Sequence, residues 1–297
     1  MIIDLLINKT KHMKHLFLIC TILLLCNFLG FSQSFVWKIK GKGTEFYIGG
    51  SIHILRDQDY PLPKEFYEAY DQSDVLTTEL DMNEMKNPSN SIKMQQALIF
   101  QDDRTLSGVL SKDVYYKLDS VSNAMGVNLK LMEKLKPSMV VISLSFQSLQ
   151  KLGVTTEGVD THFTEKAVND KKSRLFLESF DEQLGFIKDM GEGNEDEFVL
   201  YSIEDIEKNE EVFTDLLENW KKGQQELLND QLLEFKSNYP DVYNTLVLKR
   251  NNNWMMLLEK YMDTAEIEFV VVGAMHLVGK DGLLAQLKKK GYEVSQL

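Results

Sequence analysis

The chain has 297 residues and a formal net charge of -12, with 45 acidic side chains against 33 basic ones. That charge repels phosphate backbones, and no stripe of Lys and Arg interrupted by aromatic residues offsets it, so the composition argues against nucleic-acid binding. Hydrophobic residues make up 43% of the chain and charged residues 26%, which separates it from disordered and repetitive proteins and predicts a globular protein with a sizeable core.

The first 32 residues have the layout of a signal peptide. Three lysines precede an apolar run over residues 16–25, and small and polar residues follow it. This run is shorter than the roughly 20 residues of a spanning helix, so we expect cleavage near Ser32, no stable membrane anchor afterwards, and a secreted or periplasmic mature chain. The alternative is an uncleaved anchor; a lipoprotein on Cys26 is disfavoured because Leu25 is bulkier than the small residue expected before a lipidated cysteine. The true start is Met1 or Met13.

The leader contains both cysteines of the chain, Cys20 and Cys26. A mature chain without thiols excludes disulfides, thiol nucleophiles and cysteine-based zinc sites. Two of the five histidines also lie in the leader, which leaves His53, His162 and His276 as the imidazoles of the exported protein.

The first part of the mature chain predicts two strands, a helix and a third strand. Residues 35–40 and 45–49 are β-rich and are joined by glycine turn chemistry, which predicts a hairpin. A helix is expected over 64–72, after two prolines. The apolar run over 75–80 then predicts a strand that ends in carboxylates.

The middle of the chain, about residues 91–261, is predicted to be mainly helical because its apolar residues recur at helical spacing. A helix over 158–169 and a short buried strand over 174–178 are expected within it. Breaks are expected near Gly223 and Pro240.

The C-terminal end returns to strands. Residues 267–272 form a continuous apolar, β-branched run of the kind that is buried on both faces of a sheet. A helix over 281–290 and a last strand over 292–294 follow. We therefore predict one α/β (mixed α+β) domain over 33–297, with a central mixed β-sheet built from the two chain ends and flanked by helices.

A strand followed by Gly-x-x-His occurs twice, at Gly50 to His53 and at Gly273 to His276. In each copy the histidine falls just beyond the carboxyl end of a strand, where open α/β sheets form ligand crevices. A single histidine in that position is more often structural, but the repeated setting favours a functional pair. His162 has no such setting, and we predict that it lies on a helix surface.

Glu79 and Glu178 each end an apolar, strand-like run, which predicts that they lie near the two histidines. Two His and one or two Glu at one sheet edge suit a divalent metal such as Mn, Co, Zn or Fe. The same groups also suit metal-free general acid/base work. Arg250, near the start of a predicted helix, is a candidate to clamp a carboxylate or stabilise an oxyanion. The structural alternatives are a helix-capping role for Glu178 and a surface charge for Arg250.

Several segments, in order and over residues 37–294, resemble the TraB/GumN family. The segments that carry the resemblance are Gly50 to His53 with Tyr60-Pro61-Leu62-Pro63, Thr78-Glu79-Leu80-Asp81, Lys136-Pro137, Gly158-Val159-Asp160, Leu177-Glu178-Ser179, Arg250-Asn251 with Trp254, Val272 to Leu277, Gly282-Leu283-Leu284 and Gly291-Tyr292.

The resemblance implies a mixed sheet with helices on both sides and a paired-histidine centre. The family includes the animal Tiki ectodomains, which are metal-dependent proteases, and it is related in fold to ChaN-like proteins and to erythromycin-esterase-like proteins, which hydrolyse without metal. We therefore expect a metal-dependent hydrolase or peptidase, acting on a peptide or small molecule. His53, His276 and Glu79 would hold the divalent ion, and Glu79, Glu178 and Arg250 would be the catalytic residues.

Two alternatives to this expectation stay open. One is a non-catalytic envelope protein that binds a ligand or metal, and the other is a metal-free, esterase-type hydrolase. The sequence has no His-Glu-x-x-His, no Gly-x-Ser-x-Gly and no phosphate-binding glycine loop, so these other hydrolase signatures do not apply.

Overall fold

A computed structural model describes residues 33–85 and 87–297. The predicted signal peptide, its cleavage point and both cysteines lie outside the described residues. Residues Ser34–Leu297 form one compact unit. Within the described part of the chain, no helix is both long enough and apolar enough to cross a membrane.

The main sheet has the strand order β6-β4-β7-β2-β1-β8. Strands β6, β4, β7 and β2 run parallel to one another, and β1 is antiparallel to both β2 and β8. Strands β3 and β5 form a separate antiparallel pair. The strands are β1 (Val36–Gly41), β2 (Thr44–Ser51), β3 (Leu55–Arg56), β4 (Val75–Thr78), β5 (Val154–Thr155), β6 (Ser173–Phe176), β7 (Glu268–Gly273) and β8 (Glu293–Gln296).

Helices flank this sheet, which confirms the predicted mixed α/β class. The helices are α1 (Lys64–Asp71), α2 (Met82–Met85), α3 (Pro88–Leu98), α4 (Leu106–Val109), α5 (Lys112–Ala124), α6 (Pro137–Gln150), α7 (Val159–Asp170), α8 (Phe180–Asp189), α9 (Glu195–Lys221), α10 (Glu226–Asn238), α11 (Pro240–Tyr243), α12 (Arg250–Tyr261) and α13 (Leu283–Lys289). Short 3-10 turns lie at Asp57–Asp59, Leu129–Met132 and Ala274–His276, and a π-helical segment at Asn244–Lys249 joins α11 to α12.

The predicted hairpin is confirmed, and its turn consists of Lys42 and Gly43. Both residues have positive φ angles, 49° and 84°. A two-residue turn of this hand matches the right-handed twist of the flanking strands, so it fixes the pairing of Gly41 with Thr44 and the register of the whole hairpin.

Strand β7 is buried along its whole length, as its continuous apolar sequence predicts, and it lies between β4 and β2 in the sheet. The ring of its Phe269 contacts the rings of Phe66 from α1 and Phe163 from α7. A second cluster of buried residues lies in the helical middle, where Leu118 of α5, Leu144 of α6 and Ile203 of α9 belong to one apolar core.

Strand β6 differs from its prediction as a buried strand. It is the edge strand of the sheet, and Ser173 and Leu175 are exposed, the latter to 44%. Successive side chains point to opposite faces of the sheet, and at this edge one face is left in contact with solvent, which an apolar run alone does not reveal.

Candidate functional site

The parallel strands bring both Gly-x-x-His segments to one edge of the sheet. Strands β2 and β7 are adjacent, and Ser51 lies opposite Gly273. His53 and His276 therefore both follow directly beyond the carboxyl ends of neighbouring strands. This edge is where open α/β sheets bind ligands.

The two predicted glutamates reach the same edge from the next strands. Thr78, the last residue of β4, lies opposite Val271 of β7 and Phe176 of β6. Glu79 follows β4 directly, and Glu178 N–H donates a hydrogen bond of 2.9 Å to the Glu79 carbonyl oxygen.

Three candidate side chains converge above Gly273. A Cβ atom built on this glycine would lie 3.4 Å from His53 Nε2, from Glu79 Oε1 and from His276 Cδ2. Any two of these atoms are therefore no more than twice that distance apart. The Gly273 N–H also donates to Glu79 Oε1 at 2.6 Å, so the glycine both leaves room for the centre and orients one of its carboxylates.

Arg250 lies between both glutamates and His276. Its Nε and Nη2 atoms donate to the two oxygens of Glu178, each at 2.8 Å, and Nη2 also donates to Glu79 Oε2 at 2.5 Å. Its Nη1 atom is 3.1 Å from His276 Nε2. The planar guanidinium, with five donors, can satisfy two carboxylates and an imidazole at once, which an ammonium could not do in this geometry.

Arg250 is the first residue of α12 and follows the π-helical segment Asn244–Lys249 directly. Such segments are uncommon and occur often at functional sites. The guanidinium lies over the rings of Trp254, at 4.8 Å, and Phe186, at 5.4 Å. The side chain of Arg250 is only 10% exposed, so these contacts hold a charged group in a fixed, largely dry position.

Asn251 sets the tautomer of His276. Its Nδ2 atom donates to the carbonyl oxygens of His276, at 3.2 Å, and Asp281, at 3.0 Å, which leaves Oδ1 as an acceptor. That oxygen is 2.7 Å from His276 Nδ1, so Nδ1 carries the proton. The lone pair of His276 is therefore on Nε2, the atom next to Arg250.

Asp160 sets the tautomer of His53 in the same way. Its Oδ1 atom accepts from Ser51 Oγ at 2.7 Å and lies 3.0 Å from His53 Nδ1. A carboxylate can only accept, so the proton is on Nδ1 and Nε2 faces the centre. Gly158 permits this contact, because a Cβ atom there would overlap the backbone of His53.

The two imidazoles have opposite electrostatic environments. His276 is buried, and burial together with the nearby Arg250 charge lowers its pKa to about 3, so it is neutral. The side chain of His53 is 56% exposed; the surrounding protein disfavours its charged form, but Asp160 outweighs that effect and raises its pKa to about 9.

The pKa values of Glu79 and Glu178 are shifted in opposite directions, although both carboxylates contact Arg250. Burial alone would raise the pKa of Glu79, but the charges of Arg250 and His53, together with the Gly273 N–H, lower it to about 2. Burial raises the pKa of Glu178, and Arg250 only partly offsets it while the charge of Glu79 adds to it. One guanidinium between two buried carboxylates leaves an excess negative charge, which explains why one of them holds a proton more readily.

The model of the TraB/PrgY/gumN family matches residues 35–296. The chain belongs to this family. A relative described as the uncharacterized protein YbaP of Escherichia coli strain K12 is 23% identical over 258 residues, covering 82% of this chain and 88% of its own length. The protein of the same description from Shigella flexneri is 23% identical over 254 residues, covering 80% and 86%. No solved structure gives a significant match to this chain.

All five residues singled out from the sequence come together in this family member. The residues at this edge are His53, Glu79, Glu178, Arg250 and His276. Sequence reasoning missed the roles of Asp160 and Asn251, which orient the histidines, and the Trp254 ring, which lies 4.4 Å from the ring of His276. The signal was present in the family segments Gly158-Val159-Asp160 and Arg250-Asn251 with Trp254, where polar side chains adjoin a helix start.

His162 was predicted to lie on a helix surface; it lies in α7 and is half-buried, so the prediction is only partly correct. Its ring packs against Tyr60 at 5.2 Å, Phe163 at 5.2 Å and Tyr67 at 5.7 Å. Within the described residues, its buried Nε2 atom has no hydrogen-bond partner. The aromatic rings of Tyr60, Tyr67 and Phe163 thus cover part of the His162 side chain.

The donor atoms of the centre fit a divalent ion in type, but His53, whose pKa is raised to about 9, must lose its Nε2 proton before that atom can bind a metal. In metal sites the second nitrogen of a histidine usually donates to a carboxylate or carbonyl oxygen, as Nδ1 does in both His53 and His276. In the arrangement described, however, Arg250 contacts His276 Nε2 and Glu79. Within residues 33–85 and 87–297, no three His, Cys, Asp or Glu side chains are grouped so that they could hold a metal ion.

Proposed function

We propose that this chain is a hydrolase of the TraB/PrgY/gumN family, acting on a peptide or small molecule in the cell envelope. The observation that carries the proposal is the convergence of His53 Nε2, Glu79 Oε1 and the His276 ring above Gly273. Hydrolysis requires a positioned water, a group that moves a proton, and positive charge where the transition state becomes negative. The centre contains groups suited to each task. Export is proposed from the signal-peptide layout of residues 1–32.

Each residue of the centre has a distinct proposed role. Glu79, ionised at neutral pH, accepts a hydrogen bond from the attacking water. His53, at the exposed mouth and oriented by Asp160, gives or takes a proton at Nε2. Arg250 balances the charge of the carboxylates and presents a fixed positive charge to the developing oxyanion. Glu178 holds Arg250 through two hydrogen bonds and so positions it.

A divalent ion is part of the leading proposal, with His53, His276 and Glu79 as its ligands. Imidazole and carboxylate donors suit Mn, Co or Zn. When bound, such an ion lowers the pKa of a water molecule and polarises a carbonyl group. For His276 to bind it through Nε2, Arg250 must release that atom and keep its contacts with Glu178.

A metal-free hydrolase is the second candidate, and the contact between Arg250 and His276 favours it. In that arrangement the guanidinium already supplies the positive charge of the centre. The pair of His53 and Asp160 then does the proton transfer alone, as an oriented histidine can. The two candidates use the same residues and differ in whether a divalent ion or the Arg250 guanidinium supplies the positive charge.

Metal analysis and turnover of the purified exported protein test both candidates. A stoichiometric Mn, Co or Zn ion, and hydrolysis of a peptide or ester library that a chelator abolishes and the metal restores, would support the leading proposal. Hydrolysis that persists in chelator would support the metal-free reading. Metal binding without turnover would favour a non-catalytic envelope binding protein and contradict the hydrolase.

Substitutions of the histidines make the test specific. His53→Ala and His276→Ala should each nearly abolish turnover, and the double variant should lose little more, because groups that act as one unit are strongly non-additive. His162→Ala is the matched control, since it removes the third imidazole of the mature chain from an aromatic cluster. Thermal melts of all four variants separate lost function from lost folding. Normal turnover in either single variant would refute the shared centre.

A further inference from the structure

A cleft of about 360 Å³ opens beside the candidate centre, at the carboxyl ends of β4 and β6. Glu178 lines this cleft on one side and binds Arg250 on the other, so the cleft and the centre share a wall. A group held in the cleft would therefore lie next to the atoms proposed to do the chemistry.

The inner part of the cleft is apolar. Leu80, Phe176 and Phe180 line it, and Leu80 and Phe180 are only 6% and 7% exposed. Hydrophobic walls with a small number of placed polar groups are typical of ligand pockets. This part suits an aliphatic or aromatic stem.

The rim of the cleft is acidic. Asp81, Glu84 and Asp181 line it together with the basic side chain of Lys93. Lys93 binds Asp181 at 2.8 Å, and Arg174 outside the lining contacts Asp81 at 3.4 Å. Among the described residues Glu84 forms no salt bridge, and its carboxylate lines the cleft.

A buried amide adds a directional acceptor to this rim. Asn90 lines the cleft and is only 5% exposed. Its Nδ2 atom donates to the carboxylate of Glu84 at 2.6 Å and to the Glu84 carbonyl at 3.0 Å. Its Oδ1 atom accepts no hydrogen bond from the described residues. This oxygen is therefore free to accept a hydrogen bond from water or from a donor on a ligand in the cleft.

We propose that this cleft is a substrate subsite for a cationic group on an apolar stem, such as the side chain of lysine or arginine. The stem packs on Phe176 and Phe180, and the cation contacts the Glu84 carboxylate and Asn90 Oδ1. The proposal rests on the hydrolase proposed above and names its substrate class: a peptide or small molecule with a positive charge near the bond that is cleaved.

Binding of two probes to the full mature protein tests the subsite without requiring turnover. The two probes, Nα-acetyl-lysine N-methylamide and Nα-acetyl-norleucine N-methylamide, share the apolar stem, and only the lysine probe carries the terminal ammonium. Titration followed by NMR chemical shifts should show tighter binding of the lysine probe, by about fivefold, since one charge contact near a surface has that order of effect. Raising the salt concentration should reduce the difference.

Two variants should move the affinity for the lysine probe in opposite directions. Glu84→Gln should weaken it by about fivefold, and Lys93→Gln, which releases Asp181, should tighten it by about twofold to threefold. Both should leave the norleucine probe unchanged. Glu192→Gln, at an exposed acidic position outside the cleft, is the control and should change neither probe.

Equal affinity of the two probes, or equal responses of Glu84→Gln and Lys93→Gln, would overturn the subsite. The opposite responses of the two variants, in a protein that hydrolyses nothing, would support the subsite and count against the hydrolase alone. Hydrolysis of neutral substrates by a protein that binds both probes equally would support the hydrolase and contradict the subsite.

Discussion

Replacing Arg250 with methionine tests the ion cluster at the centre of the site. Methionine keeps much of the stem and removes the guanidinium, which leaves Glu79 and Glu178, 9% and 5% exposed in their side chains, without their shared cation. Removal of one partner from a buried ion pair costs about 3 to 5 kcal/mol, because a charge stays buried and uncompensated. We expect a loss of that size in the free energy of unfolding, measured by urea denaturation at pH 7.

The matched control is Lys290→Met, which breaks the pair of Lys290 with Glu259 at a similar distance of 2.9 Å but at 44% and 34% exposure. An exposed pair contributes at most about 1 kcal/mol, so this variant should remain close to the wild type. Adding Glu178→Gln to Arg250→Met should recover part of the loss, because it removes one of the two excess charges. A loss in Arg250→Met no larger than in Lys290→Met would refute the buried ion cluster.

Three further predictions concern other parts of the chain. Burial raises the pKa of Glu268 from 4.5 to about 7, so the folded state binds this proton more tightly than the unfolded state does. The free energy of unfolding should therefore fall by about 3 kcal/mol at most as pH rises from 4.5 to 7. Glu268→Gln should remove that part of the pH dependence in urea denaturation. Gly158→Ala should destabilise by about 2 kcal/mol, because its Cβ would overlap His53, whereas Gly185→Ala, with open space in a helix, should stabilise by about 0.5 to 1 kcal/mol in thermal melts. Mass spectrometry of the exported protein should show cleavage near Ser32, and an intact membrane-retained N-terminus would contradict it.

The sequence by itself determined the elements that lie at the centre of the fold. The apolar, β-branched run over 267–272 predicted a strand buried on both faces, and β7 is that strand. The repeated Gly-x-x-His segments placed His53 and His276 beyond strand ends because local glycine and strand patterns decide where a strand stops. Glu79 and Glu178 followed from the same reasoning. Each of these features depends on residues that are close to it in the sequence, so periodicity and turn chemistry reveal it.

Only the tertiary structure decided which of these residues touch. Arg250 contacts Glu79, which lies 171 positions earlier in the chain, and Asp160 contacts His53 across 107 positions. Neither contact can be recognised from a local sequence pattern. Each depends on the position of β7 between β4 and β2 in the sheet and on how closely α7 and α12 approach that edge. The tautomers of the histidines and the depressed pKa of Glu79 depend on those contacts in turn, since an ionisable group responds to the charges and donors around it and not to its neighbours in sequence.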